Sequence, residues 1–128
     1  MGCFFYFWTC MNIEEYRDYC LSKKGVTEAF PFDTVTLVFK VGGKMFALCG
    51  ITNFSYINLK ADPEKSLELR EAYMGITPGF HMSKKHWNSV ETNGDVPLKV
   101  IKELIDDSYN LVFQKLTKKI KLEIESLV

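Results

Sequence analysis

The chain has no excess charge of either sign, no Cys-x-x-Cys pair and no apolar run long enough to cross a bilayer. Each absence removes a class of function. Sixteen basic residues balance sixteen acidic ones over 128 residues. Zero net charge argues against a strongly basic nucleic-acid coat protein, although a local basic patch still acts through the field of its own surface. Cys3, Cys10, Cys20 and Cys49 fit no zinc-module spacing. Cys20 and Cys49 read as small buried apolar side chains in a reducing, cytoplasmic compartment. A membrane helix needs about twenty apolar residues, so no membrane partner is expected. Ser83, Ser89 and Ser108 lack a Gly-x-Ser-x-Gly elbow. No phosphate loop or dinucleotide fingerprint is present either, because Gly42-Gly43 is a hairpin turn rather than a cradle. A non-enzymatic protein without a cofactor is the expectation.

What is present suffices for one domain. The composition is 47% hydrophobic and 25% charged, ordinary for a soluble globular chain with its own core. Residues 1–10, Met-Gly-Cys-Phe-Phe-Tyr-Phe-Trp-Thr-Cys, are out of character with the remainder. They carry no Lys or Arg, unlike a secretory signal. Tyr6 stands where a myristoylation pattern wants Ser or Thr. They read as a non-native or start-site extension, with a single domain over 11–128 that is expected to be a monomer.

The first helix is predicted over 13–24. Asn12 caps it, Glu15 completes a capping box, and Ile13, Tyr16 and Cys20 face inward. Segments 35–41 and 44–50 flank Gly42-Gly43 as a hairpin. That turn sets Phe39 opposite Phe46 and Leu37 opposite Leu48 on the core face. Val38 and Lys40 then lie on the other face with Ala47 and Met45. A third strand over 55–60 adds Ile57 and Leu59 to the core. Asp62-Pro63 opens a second helix with a capping carboxylate and proline at its first position. Leu69, Ala72, Tyr73 and Ile76 have helical spacing, and Gly75 ends the element. A short strand is predicted over 86–91, and Asn93-Gly94-Asp95 forms a turn. From Pro97 a long final helix is predicted, with Leu98, Ile101, Ile105, Tyr109, Val112 and Leu116 on one stripe. Beyond it Ile120, Leu122 and Ile124 alternate like a strand, but Leu116, Ile120 and Ile124 also fit a helix, and continued helix is the expectation.

Several short motifs occur in a specific order: Pro31-Phe32, Gly43-Lys44-Met45-Phe46-Ala47, Asn58-Leu59-Lys60, Pro78-Gly79-Phe80-His81, Lys84-Lys85-His86-Trp87, Leu104-Ile105 and Ser108-Tyr109. In this the chain resembles the bacterial MmcQ/YjbR family from Met11 to about Leu116. The resemblance implies an α+β, CyaY/frataxin-like sandwich, an antiparallel meander sheet packed by N- and C-terminal helices. It also implies the DNA-binding "double wing" role proposed for that family.

The stretch Gly75-Ile-Thr-Pro-Gly-Phe-His-Met-Ser-Lys-Lys-His-Trp-Asn-Ser-Val90 concentrates donors and rings. Lys84 and Lys85 are suited to phosphate contact, His81 and His86 to pH-dependent positive charge, and Trp87 to stacking. Trp87 is equally suited to packing on the sheet as core. Lys115, Lys118, Lys119 and Lys121 form a second basic cluster, of which the first three join the candidate nucleic-acid contacts. Lysines near a helix C-terminus are also favoured by the macrodipole alone. His81 and His86, five residues apart, do not share a helical face and have no carboxylate beside them in the loop, so no metal is expected. Glu14, Glu15 and Asp18 are offset by Arg17, Lys23 and Lys24, and read as a solvated face rather than an iron ridge. DNA is therefore the first candidate partner, and a protein- or ligand-binding adaptor is the alternative.

Overall fold

Asn12 opens the first helix by closing the expected capping box. Its Oδ1 accepts the Glu15 N–H at 2.8 Å, and Glu15 Oε1 accepts the Asn12 N–H at 3.2 Å. The computed structural model describes residues 11–127. The reading of residues 1–10 as an extension lies outside them. Helix α1 spans Ile13–Leu21 and buries Tyr16 and Cys20. It ends three residues earlier than predicted, because Ser22 turns back and donates from Oγ to the Tyr19 carbonyl at 2.6 Å. Gly25, at φ 74°, then redirects the chain into a strand.

That strand, β1 (Val26–Ala29), was not expected. None of its residues is fully buried, so it carries no strong hydrophobic alternation. The meander continues through β2 (Thr36–Val41), β3 (Lys44–Gly50) and β4 (Tyr56–Lys60). Asp62 accepts the Glu64 N–H at 3.2 Å and starts helix α2 (Pro63–Ala72). Tyr73 is already extended, and Ile76, expected on the helix stripe, begins an unpredicted strand β5 (Ile76–Pro78). Asp95 makes this change of direction possible: its carboxylate accepts the N–H groups of Met74 at 2.8 Å and Gly75 at 2.7 Å. Strand β6 (Trp87–Glu91) and helices α3 (Leu98–Gln114) and α4 (Lys118–Glu125) complete the described chain.

The six strands form one sheet in the order β1-β2-β3-β4-β6-β5, with every neighbouring pair antiparallel. The architecture is α+β, with α1 and α3 packed on one face. Tyr16 and Cys20 meet Phe39, Phe46, Ile57 and Leu59 there, beneath Ile101, Ile105 and Val112. The other face holds a smaller cluster of Val38, Leu48 and Trp87, with Met45 and Met82 packed against it.

The hairpin register differs from expectation beyond its first pairs. Gly42 (φ 58°) and Gly43 (φ 81°) make the tight turn, and Val41 pairs with Lys44. A bulge then makes Phe46 an extra residue, so Phe39 pairs with Ala47 and Leu37 with Cys49. Phe39 and Phe46 still share the core cluster. Leu48, however, pairs with Val38 on the opposite face, and Ala47 joins the core.

The final helix is also broken rather than continuous. Leu116 turns inward against Gly42, where a Cβ would stand 2.6 Å from Leu116 Cδ1. Thr117 Oγ1 then accepts the Ile120 N–H at 3.3 Å and starts α4 afresh. Ile124 folds back onto Gly25 in the same way, with Cγ2 3.0 Å from the position a Cβ would take.

Candidate nucleic-acid interface

The loop 79–86 joins β5 to β6, and both faces of β6 hold it. On the helix side, Arg70 of α2 donates from Nε to Asn88 Oδ1 at 2.8 Å and from Nη2 to the Lys84 carbonyl at 2.5 Å. Asn88 in turn donates to Ser66 Oγ at 3.2 Å. On the other side, Ser89 Oγ donates to Asn58 Oδ1 at 2.6 Å and accepts the Phe80 N–H at 2.9 Å. No buried side-chain nitrogen or oxygen among the described residues lacks a partner. A satisfied network of this kind fixes one loop conformation.

Within the loop, the Gly79 N–H donates to the Trp87 carbonyl at 2.8 Å, and a Cβ on Gly79 would stand 2.7 Å from Trp87 Cβ. Only glycine permits that approach. His81 follows at φ 61°, a left-handed conformation uncommon outside glycine. It turns the chain so that the Phe80 and His81 rings lie 4.1 Å apart.

The predicted residues separate into different roles. His81, Lys85 and His86 are exposed on the loop. Lys84 is exposed too, but its ammonium donates to the Gly79 carbonyl and clamps the loop. Trp87 is 6% exposed and packs with Val38 and Leu48, so it anchors the loop instead of offering a free ring. The Lys60 ammonium lies 5.7 Å from the Trp87 ring centroid. Lys115 caps the end of α3 and joins Lys44 and Lys60 around a separate cavity. Lys118 and Lys119 occupy the first turn of α4. There they face the positive end of the helix dipole, not the favourable end expected for a continuous helix.

An exposed aromatic cluster beside the loop was not singled out from sequence. Phe80 is 54% and Phe32 62% exposed, and the Phe80 ring meets Tyr56 edge-on at 5.9 Å. With Asp33, Asn58, His81 and Met82 nearby, they line a cleft of about 390 Å³. The N–H of Val35, at 2.9 Å, and that of Thr36, at 2.7 Å, hold the Asp33 carboxyl below its ordinary range. The cleft thus offers ring faces, a fixed acceptor and the His81 imidazole on its loop side. Strand alternation was the available signal, since Tyr56, Asn58 and Lys60 share the face opposite Ile57 and Leu59.

Burial also fixes the two thiols. It raises Cys20 well above the ordinary range and pushes Cys49 up to about 12. Both are free and buried, as their apolar setting in sequence suggested. Among the described residues, no three His, Cys, Asp or Glu side chains gather where they could hold a metal ion. No described helix is long and apolar enough to cross a membrane.

A small α+β domain with a buttressed loop beside an exposed aromatic cleft is what these observations define. The chain belongs to the YjbR family, whose sequence model matches residues 21–111. It is 44% identical over 91 residues to the uncharacterized protein YbdF of Escherichia coli O157:H7, covering 70% of this chain and 75% of YbdF. The uncharacterized protein YjbR of Escherichia coli K12 is 32% identical over 100 residues, 77% of this chain and 85% of YjbR. Among solved structures, protein DR2400 of Deinococcus radiodurans, with a DUF419 domain, superimposes with a TM-score of 0.85. It is 40% identical, and the match covers 91% of this chain and 90% of that one. A Pseudomonas syringae protein matches with a TM-score of 0.67 at 32% identity, over 80% of this chain and 99% of that one.

Proposed function

We propose that this protein is a nucleic-acid-binding domain that engages single-stranded or locally opened strands through loop 79–86 and the adjoining aromatic cleft. The carrying observation is that the exposed Phe80 is held through its N–H by the buried Ser89, edge-on to Tyr56 and in one cleft with Phe32, while Lys85 is exposed on the same loop. Stacked bases need ring faces of this kind, and their phosphates need cations at the rim. Asp33 lines the same cleft, where its carboxylate can meet the polar edge of a base. In this reading the protein works by binding, as a cytoplasmic monomer, with no catalytic step. The packing of helices α1 and α3 on one face of an antiparallel sheet also suits the frataxin-like sandwich that the family resemblance implies.

The test is a fluorescence-anisotropy titration of mixed-sequence single strands and duplex across a range of salt. Binding that weakens steeply with salt, with single strands preferred, supports the proposal, because counterion release drives phosphate contacts. No binding of either nucleic acid at low salt overturns it.

A further inference from the structure

Lys44 opens β3, Lys60 closes β4 and Lys115 caps α3, and all three line one cavity of about 290 Å³ with Val112 and Leu116. Lys60 and Lys115 also line a neighbouring cavity of about 420 Å³, walled by Leu69 of α2 and Leu104 and Leu111 of α3. Among the described residues, none of the three ammonium groups has a carboxylate within ion-pair distance. The two carboxylates on the larger cavity are already engaged. Asp107 pairs with Lys65 at 3.9 Å, and Asp62 caps α2. Burial first, then the charges of Lys115 and Lys44, hold the Lys60 ammonium below its ordinary range. Three converging cations with no counterion repel one another, and an anion placed among them removes that repulsion. The leucine wall beside them is apolar surface that a small charged ion alone would leave wet.

We propose that the two cavities form a binding site for a small organic anion. Its single phosphate or carboxylate head sits among Lys44, Lys60 and Lys115, and its apolar body lies along Leu69, Leu104 and Leu111. The proposal goes beyond the nucleic-acid reading and uses none of the loop residues. Cavities of a few hundred cubic ångströms, mostly apolar with a few convergent charges, are the usual form of a small-molecule site.

The experiment titrates the full chain with octyl phosphate, octanoate, inorganic phosphate and octanol, followed by calorimetry and by backbone amide NMR shifts. Octyl phosphate or octanoate should bind at one site and shift the amides of Lys60, Leu111 and Lys115. Comparing the two identifies the head group. Inorganic phosphate and octanol should each bind at least about tenfold more weakly, since each supplies only half of the recognition. Lys115→Gln, at an exposed helix cap, and Lys60→Met, which keeps an unbranched side chain without the charge, should each weaken binding by about tenfold. Phe80→Ala should leave it unchanged. The proposal is overturned if those amides do not shift, if octanol binds as well as octyl phosphate, or if Lys115→Gln binds like the wild type. Loss of octyl phosphate binding in Phe80→Ala would also overturn it, by placing the ligand in the loop cleft.

Discussion

Ser108 and Phe46 are joined across the helix–sheet interface by a 2.5 Å hydrogen bond from Ser108 Oγ to the Phe46 carbonyl. The same hydroxyl accepts the Lys60 N–H at 2.9 Å. The β3–β4 ladder ends at Ala47 opposite Leu59, and its next pair would be Phe46 with Lys60. The bulge removes that pair, and a fully buried hydroxyl from α3 bridges the gap instead. One side chain thus satisfies the bulge, docks the helix and fixes the backbone that carries Lys60.

Ser108→Ala should accordingly destabilise the fold by about 1–3 kcal/mol, because it strands a carbonyl and an N–H out of water. Urea denaturation measures this. A variant as stable as the wild type would show that the bridge contributes nothing.

For the loop, Phe80→Ala should weaken single-strand binding by about 1–3 kcal/mol, the worth of one base–ring stack, with little change in salt slope. Lys85→Ala should do the reverse, flattening the log–log slope by about 0.7 on single strands and about 0.9 on duplex. Equal effects of the two substitutions on slope would sink the division into stacking and phosphate contacts.

Arg70→Lys should loosen the loop without unfolding the domain. A lysine cannot hold Asn88 and the Lys84 carbonyl at once in the planar geometry of arginine. Amide hydrogen exchange over 79–86 should quicken while the β2–β3 amides stay protected. Unchanged exchange in the loop would refute Arg70 as its anchor.

Asp95 gives a pH dependence of defined sign. The N–H groups of Gly75 and then Met74 hold its carboxyl below the ordinary value of 3.8. A depressed folded value means that the stabilisation is fully present above 3.8 and fades as pH falls through the lower, folded value. Asp95→Asn should be less stable than the wild type at neutral pH, and the gap should close in strong acid. A gap independent of pH would mean that the charge is not involved.

The two turn glycines should differ. Both have positive φ, so alanine at either costs about 1–2 kcal/mol in backbone strain. A Cβ at Gly43 meets nothing within 4 Å, whereas at Gly42 it meets Leu116 at 2.6 Å. Gly42→Ala should therefore cost roughly 1–3 kcal/mol more. Equal melting temperatures for the two variants would contradict the packing of Leu116 on the hairpin.

The chemistry of neighbouring residues was enough to specify the capping box at Asn12, the start of α2 at Asp62-Pro63, the Gly42-Gly43 turn and the inward pair Ile57 and Leu59. In each case the partners lie within a few positions of one another, so local geometry decides. The exposure of Lys85 also followed from its polar, turn-rich setting. Tertiary packing alone decided the bulge at Phe46, the strands β1 and β5, the break after α3, the burial of Trp87 and the internal use of Lys84. Each depends on a group distant along the chain: Ser108 for the bulge, Asp95 for the entry into β5, Gly42 for Leu116, and Val38 and Leu48 for Trp87. A residue's pattern in sequence reports which environment it prefers. Which partner supplies that environment depends on where the fold brings the rest of the chain, and the same contacts determine which cations remain free to meet a ligand.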